Sequence, residues 1–233
     1  MNNLNKLLTE EYFQDLLVRM AHNSTAIEGN TLTQAETISI LLHKVIPKTM
    51  NEREYYEVKN YEKTFNYIFN NKDEFSIEKI KKFHYLIMDN IRDDNGKFKK
   101  SNNSIIGATF ETTPAYQIPY VLKEWLDNYN YRIKIAKTNT EKLEIILKSH
   151  IDFERIHPFS DGNGRTGRII MIEQCIQENL DFFVIPVNDK WKYINFLQNE
   201  NGKDFAKWCI ELQKIENERI KNFYNNFKEN HDR

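Results

Sequence analysis

Glycine and proline are scarce, seven and five among 233 residues. That is about 5% where an average protein carries roughly 12%. Too few breakers are present for a loop-heavy sandwich, a collagen-like repeat or a Gly/Pro-rich disordered chain, and long helices are favoured. Cysteine is nearly absent: Cys175 and Cys209 cannot make a disulfide framework. Both lie among apolar residues at helical spacing, which predicts buried, inert thiols and fits a reducing compartment. No excess of one charge exists, with Lys+Arg 33 against Asp+Glu 34 and a formal net charge of -1, so general polyanion binding has no electrostatic basis and no nucleic-acid partner is expected. No apolar run approaches the roughly 18 residues of a membrane span, and Glu10 and Glu11 follow the first residues where a signal peptide would be apolar. The expectation is a soluble, cytoplasmic chain without a membrane partner.

Hydrophobic residues at 40%, with aromatics at 13%, suffice for one compact domain. Apolar positions recur at three-and-four spacing from Leu4 to about His22, with a break expected at His22-Asn23. Thr33-Gln34-Ala35-Glu36 is a capping box opening a helix that Pro47 should end. Tyr55, Val58, Tyr61, Phe65, Ile68 and Phe69 make the next helical face. Ser76 is an N-cap candidate for a helix carrying Ile80, Phe83 and Ile87. The segment from Asp93 to Pro119 differs: Asp93-Asp94-Asn95-Gly96 is turn chemistry and Ser104-Ile105-Ile106-Gly107 is short and β-prone, which predicts a small hairpin. Helical patterning resumes over 118–135, over 143–156 after a Thr140-Glu141 start, over about 165–180, and from Trp191 onward with an interruption at Gly202.

The stretch that carries chemistry is His157-Pro158-Phe159-Ser160-Asp161-Gly162-Asn163-Gly164-Arg165-Thr166-Gly167-Arg168. Gly162 and Gly164 permit close backbone approach, so consecutive N–H groups can turn toward one anion. A helix starting near Arg165 points its partially positive end at the same place. Arg165 and Arg168, three apart on one face, can clamp phosphate oxygens. Asp161 offers one hard oxygen, enough for a Mg²⁺ ion that takes its other ligands from water and phosphates. Pro158 biases His157 to extended geometry and leaves an imidazole over the anion site, where a general base would stand. Alone, each feature is more often a turn, a solvated face or an ordinary histidine. Their concentration in twelve residues favours a phosphate site.

This stretch resembles the H-[PF]-F-x-[DE]-G-N-G-R-x-x-R signature of Fic-domain proteins, filled at every constrained position. The resemblance implies an all-α Fic fold, a helical bundle with a small β-hairpin flap. It also implies a protein adenylyltransferase, which transfers AMP from ATP to a Ser, Thr or Tyr hydroxyl of a target protein and of itself and releases pyrophosphate. It makes His157 the base, Asp161 the ligand of Mg²⁺ or Mn²⁺, and Phe159 the buried anchor. Gly162, Asn163, Gly164, Arg165, Thr166, Gly167 and Arg168 become the nucleotide-binding loop. Ser104, Ile105, Ile106 and Gly107 resemble a flap over 102–112 that covers the nucleotide and docks an unknown target. Tyr193, Ile194 and Asn201 fall where relatives contact adenine and ribose. The implied division is N-terminal helices over 1–90, a Fic core over 91–212 with its catalytic loop at 157–168, and a C-terminal helix over 213–233. A homodimer is expected by analogy. Relatives also suggest another nucleotide, or removal of AMP from a modified target, as alternatives; a silent nucleotide-binding module is the reading from a different class.

Ser24-Thr25-Ala26-Ile27-Glu28-Gly29-Asn30 resembles the [ST]-x-x-x-E-[GN] inhibitory pattern of the same proteins, at 24–29. Ser24 and Glu28 are i and i+4, so one short helix presents both on one side, with Gly29 as its stop. The resemblance implies that Glu28 pairs with Arg168 and removes a guanidinium that should hold the γ-phosphate.

Overall fold

The computed structural model describes residues 7–47, 50–105 and 107–231. The predicted helix start at Leu4 and the flap residue Ile106 lie outside them. The described residues form α1 (Glu10–Ile27), α2 (Gln34–Leu41), α3 (Glu52–Asn70), α4 (Ile77–Ile87), α5 (Ile118–Ile135), α6 (Asn139–Ile156), α7 (Asn163–Gln177), α8 (Lys190–Gln198) and α9 (Gly202–His231). The all-helical expectation is met.

Short polar side chains set most helix starts. Thr9 accepts from the Tyr12 amide and Ser76 from the Lys79 amide, each at 3.2 Å. Thr33 with Glu36, Asn51 with Glu54 and Thr138 with Glu141 form complete capping boxes, so the orphan amides of those first turns are satisfied.

Several boundaries differ from expectation for identifiable reasons. α1 does not break at His22-Asn23 but runs through Ile27, because Ser24, Thr25 and Ile27 of its last turn are buried and continue the face packed on the bundle. The Ser24–Glu28 pattern is therefore the end of a long helix, with Gly29 beyond it at φ +101°. α2 is capped by Leu42 and the chain reverses at Lys44 (φ 57°), so Pro47 lies past the helix it was expected to end. α6 begins behind Thr138 instead of at Thr140-Glu141, and α7 begins at Asn163.

The predicted hairpin is the clearest correction. Among the described residues no strand forms over 102–112. Gly107 (φ +81°) turns the chain and the Ala108 amide reaches the Ile105 carbonyl at 3.1 Å. Below that turn the limbs are joined by side chains: Lys99 Nζ donates to Asn103 Oδ1 at 2.6 Å and to Thr112 Oγ1 at 3.2 Å, and Thr112 Oγ1 donates to the Asn103 carbonyl at 2.6 Å. These contacts replace a ladder that the polar limbs, open to water, do not build.

α6 packs against α5, α7, α8 and α9, while α7 packs against α1, α4 and α6. α7 is buried on nearly every side from Asn163 to Cys175, its polar residues included, and Ile146, Leu147, Ile151 and Phe153 of α6 are fully buried. α3 lies against α1, α2 and α4. The N-terminal end of α7 is thus surrounded by protein from both halves of the chain. Cys175 and Cys209 are buried, and burial raises both thiols, Cys175 to about 12. They are inert, as expected. Among the described residues no helix is long and apolar enough to cross a membrane.

One buried ion pair pins α4 to α7. Lys79 contacts Glu173, with both side chains 2% exposed, and also donates to the Asp73 carbonyl at 2.7 Å. Removing one partner strands the other charge in the core. Lys79→Met is expected to lower unfolding free energy by about 3–5 kcal/mol, and adding Glu173→Leu should recover most of it. Chemical denaturation of the three proteins checks this; a double variant as unstable as the single one contradicts it.

Candidate active site

α6 ends on His157, whose backbone is left-handed (φ 52°, ψ 59°). The extended geometry expected before Pro158 is overridden because the His157 amide closes the helix on the Phe153 carbonyl at 3.0 Å, a left-handed helix end of the kind glycine usually supplies. The strained turn places the ring with Nδ1 3.2 Å from the Glu154 carbonyl oxygen. Nδ1 is therefore the protonated nitrogen, and Nε2 keeps its lone pair. Burial, reinforced by the Lys99 charge, pushes the imidazole down to about 4. The ring is neutral at pH 7.

Beyond Pro158 the loop is rigid. Phe159 is fully buried and stacks on His84 of α4, centroids 3.7 Å apart and planes 4° apart. His84 accepts from the Gly96 amide at 2.8 Å and meets the Asp161 carbonyl at 3.0 Å, so one ring supports both the anchor and the acid. Asn163 is 2% exposed and spends its side chain on the Phe159 amide and carbonyl, at 2.9 Å each. This side chain closes the loop. Thr166 and Gly167 also face inward, Thr166 with no exposure. An anion here is offered the free amides of the first turn of α7.

The two arginines have separate surroundings. Arg165, expected as a clamp, is 2% exposed and turned inward, with Nη1 donating to Glu57 at 2.9 Å and Nη2 to Asp161 Oδ1 at 3.3 Å. It anchors the loop to α3. Asp161 also accepts from its neighbouring Gly162 amide at 2.6 Å and from Arg53 Nη2 at 2.6 Å.

Arg168 is filled from α1. Its Nε donates to Ser24 Oγ at 2.7 Å, and its Nη2 to the Ser24 carbonyl at 2.9 Å and to Glu28 Oε1 at 2.6 Å. Tyr61 of α3 hydrogen-bonds Ser24 from behind. Burial opposes charge on Glu28, yet Arg168 holds its carboxyl below the usual range. The approach is close: a Cβ on Gly164 would sit 2.3 Å from Glu28 Oε1, so glycine is required there for Glu28 to lie over the helix end. The pairing expected between Glu28 and Arg168 is present.

On the far side of Arg168, Nη1 lies 3.4 Å from the hydroxyl of Tyr193, which is 2.8 Å from His150 Nε2. Tyr193 is 1% exposed. It packs as a core residue supporting Arg168, and the adenine contact expected of it is not available to a ring facing inward. Asn201 caps α9, accepting from the Asp204 amide at 3.2 Å; Ile194 is half-buried. Ser104 and Gly107 are exposed, and Gln198 of α8 donates to the Gly107 carbonyl at 3.3 Å, bridging flap tip and α8. Among the described residues no cluster of three or more His, Cys, Asp or Glu could hold a metal.

Sequence reading missed His84, Glu57, Arg53, His150, Glu154 and Gln198, and took Tyr61 only as part of an apolar face. Arg53, Glu57 and Tyr61 are spaced by four on α3, and His150 and Glu154 by four on α6. That spacing was a signal, but it announces one face without saying what faces it.

A helical bundle whose central helix follows this loop is the architecture of Fic-domain proteins. Residues 74–175 match the model of the Fic/DOC family. The chain is 28% identical over 206 residues to the protein adenylyltransferase Fic of Drosophila willistoni, covering 86% of this chain and 39% of that protein. The Drosophila melanogaster counterpart is 27% identical over the same length. The chain thus spans about two fifths of the length of these curated relatives. Its fold superposes on a Fic domain containing signaling protein from Bacteroides thetaiotaomicron with a TM-score of 0.83 at 20% identity, covering 96% of this chain and 94% of that one. Fic-1 from C. elegans gives 0.73 at 23%, covering 97% and 66%.

Glu154 gives the site a pH signature. It lies against Gly167, where a Cβ would meet its Oε1 at 2.3 Å, and burial raises its carboxyl to about 8. The folded chain keeps this proton where the unfolded chain has lost it. The stability that goes with it is whole below the unfolded value of 4.5 and is lost as pH rises to about 8. His150, pushed down to about 3 by burial and then by Arg168, slopes the opposite way, but only below the ordinary imidazole value of about 6.5. Glu154→Gln should therefore be more stable than the parent by about 1–2 kcal/mol at pH 8, with the gap shrinking toward pH 5. Thermal unfolding across that range decides; a gap independent of pH contradicts it.

Proposed function

We propose that the chain is a protein adenylyltransferase, transferring AMP from ATP to a Ser, Thr or Tyr hydroxyl of a target protein and of itself. The observation that carries this reading is the neutral His157 imidazole, its proton committed to the Glu154 carbonyl, beside the amide-rich end of α7 and Asp161. The activity for which the Drosophila relatives are named supports it. The target hydroxyl oxygen attacks the α-phosphorus, the bond from that phosphorus to the bridging oxygen breaks, and pyrophosphate leaves. His157 Nε2 takes the hydroxyl proton. The first-turn amides of α7 face charge that grows on the phosphates. Asp161 fits a divalent cation of the Mg²⁺ type, offering one hard oxygen at a half-open position; bound there, the cation neutralises phosphate charge. The flap turn at Gly107 presents exposed backbone that a target segment could pair with by strand addition.

In the same reading Glu28 is the brake. With Arg168 spent on Glu28 and Ser24, no guanidinium remains to hold the γ-phosphate, and ATP binds in a pose unsuited to in-line attack. A charge-assisted hydrogen bond is worth about 1.5–3 kcal/mol, so its loss changes a rate by roughly ten- to a hundredfold.

Incubation with ATP labelled in the α-phosphate tests the whole reading. His157→Ala should abolish transfer to target and to self, and unchanged labelling refutes the base. Glu28→Gly should raise self-labelling at least about tenfold; equal or lower labelling refutes the brake. The rate in the Glu28→Gly protein should stay flat from about pH 7.5 down to about 5, because the imidazole loses its proton near 4 instead of near 6.5. A half-loss at pH 6.5 contradicts this.

A further inference from the structure

Arg53 stands outside the matched Fic segment, in the first turn of α3, yet it is the group that meets the acidic residue of the catalytic loop. Its Nη2 donates to Asp161 Oδ2 at 2.6 Å and its Nε to Glu57 Oε1 at 3.0 Å. The opposite oxygen, Asp161 Oδ1, is already occupied by the Gly162 amide at 2.6 Å and by Arg165 at 3.3 Å. Oδ2 is therefore the oxygen through which Asp161 can take a new ligand, and Arg53 lies on it.

The two arginines differ in their freedom. Arg165 is 2% exposed, with no path to solvent, so giving up its carboxylates would leave its own charge unpaired in the core. The Arg53 side chain is 52% exposed and projects from a first helical turn into water. It can rotate away while Glu57 keeps Arg165 at 2.9 Å and Asn30 at 3.0 Å as partners.

We propose that Arg53 is a displaceable counter-ion for Asp161, occupying the oxygen that a divalent cation would take and leaving it for solvent when the cation binds. Building on the assignment of Asp161 as metal ligand, this makes Arg53 a positioning residue that sets how much cation the site needs. A guanidinium and a doubly charged ion repel one another at one carboxylate oxygen, and each would claim the same lone pairs, so one excludes the other. Without the guanidinium, the carboxylate presents its full charge to the metal.

The test uses the full chain, labelled with nitrogen-15, and Mn²⁺ alone. The amide of Gly162 bonds the Asp161 carboxylate directly, so a paramagnetic ion on Asp161 broadens that amide signal. In Arg53→Gln the broadening should reach half its extent at roughly three- to tenfold less Mn²⁺ than in the parent, the range set by a charge-assisted bond on a partly exposed group. Arg53→Met, of similar length, should shift it the same way. The amide spectrum of each variant reports that the fold is intact. Equal or higher Mn²⁺ demand in both variants overturns the proposal while leaving Asp161 as the ligand. Asp161→Asn is expected to remove the broadening; persistence of broadening in that variant, or its absence in every protein, overturns the ligand assignment and this proposal with it.

Discussion

A buried guanidinium needs carboxylate or hydroxyl partners for its charge, and the architecture around α7 follows from that requirement. Arg168 is supplied by Ser24 and Glu28 from α1 and by Tyr193 from α8. Arg165, three residues earlier, is supplied by Glu57 from α3. Helices distant in sequence are thereby fixed to the first two turns of one helix by the directional demands of two side chains. Apolar packing alone would tolerate sliding of these helices; forked hydrogen bonds do not.

The same region combines rigidity with backbone strain. His157 adopts a left-handed conformation that costs a non-glycine residue of the order of 1–3 kcal/mol, and the stacked His84–Phe159 pair and the Asn163 bonds below it hold the loop in that shape. Side chains within the signature thus divide into those that face the open cradle and those that build it. Asn163, Thr166 and Arg165 build it, and they could be mistaken for ligand contacts because they share the motif with His157 and Asp161.

Much of this was legible in the sequence. Helix content followed from scarce glycine and proline, the Thr33 box from its four residues, and the Ser24–Glu28 face from i,i+4 spacing, which holds whether the helix is short or long. The end of α1 escapes the sequence because His22-Asn23 looks like a break, whereas the burial of Ser24, Thr25 and Ile27 that carries the helix on depends on the other helices. The flap was read as a hairpin from β-prone residues, but a ladder needs two limbs in register, and Lys99, Asn103 and Thr112 join them through side chains instead. Glu57 and Tyr61 were read as members of an amphipathic face or passed over. Periodicity tells which side is inward but not that a charge waits there.

The depth at which α1 is embedded limits which part of its contact with Arg168 can move. Tyr12, Leu16 and Ala21 are fully buried, and Arg19 grips Glu216 of α9 through two bonds at 2.7 and 2.6 Å. Peeling this helix off would dismantle the bundle. Movement at the Arg168 contact that keeps the bundle whole is therefore confined to the half-exposed carboxylate at its tip, a swivel of a few torsions while the scaffold stays put.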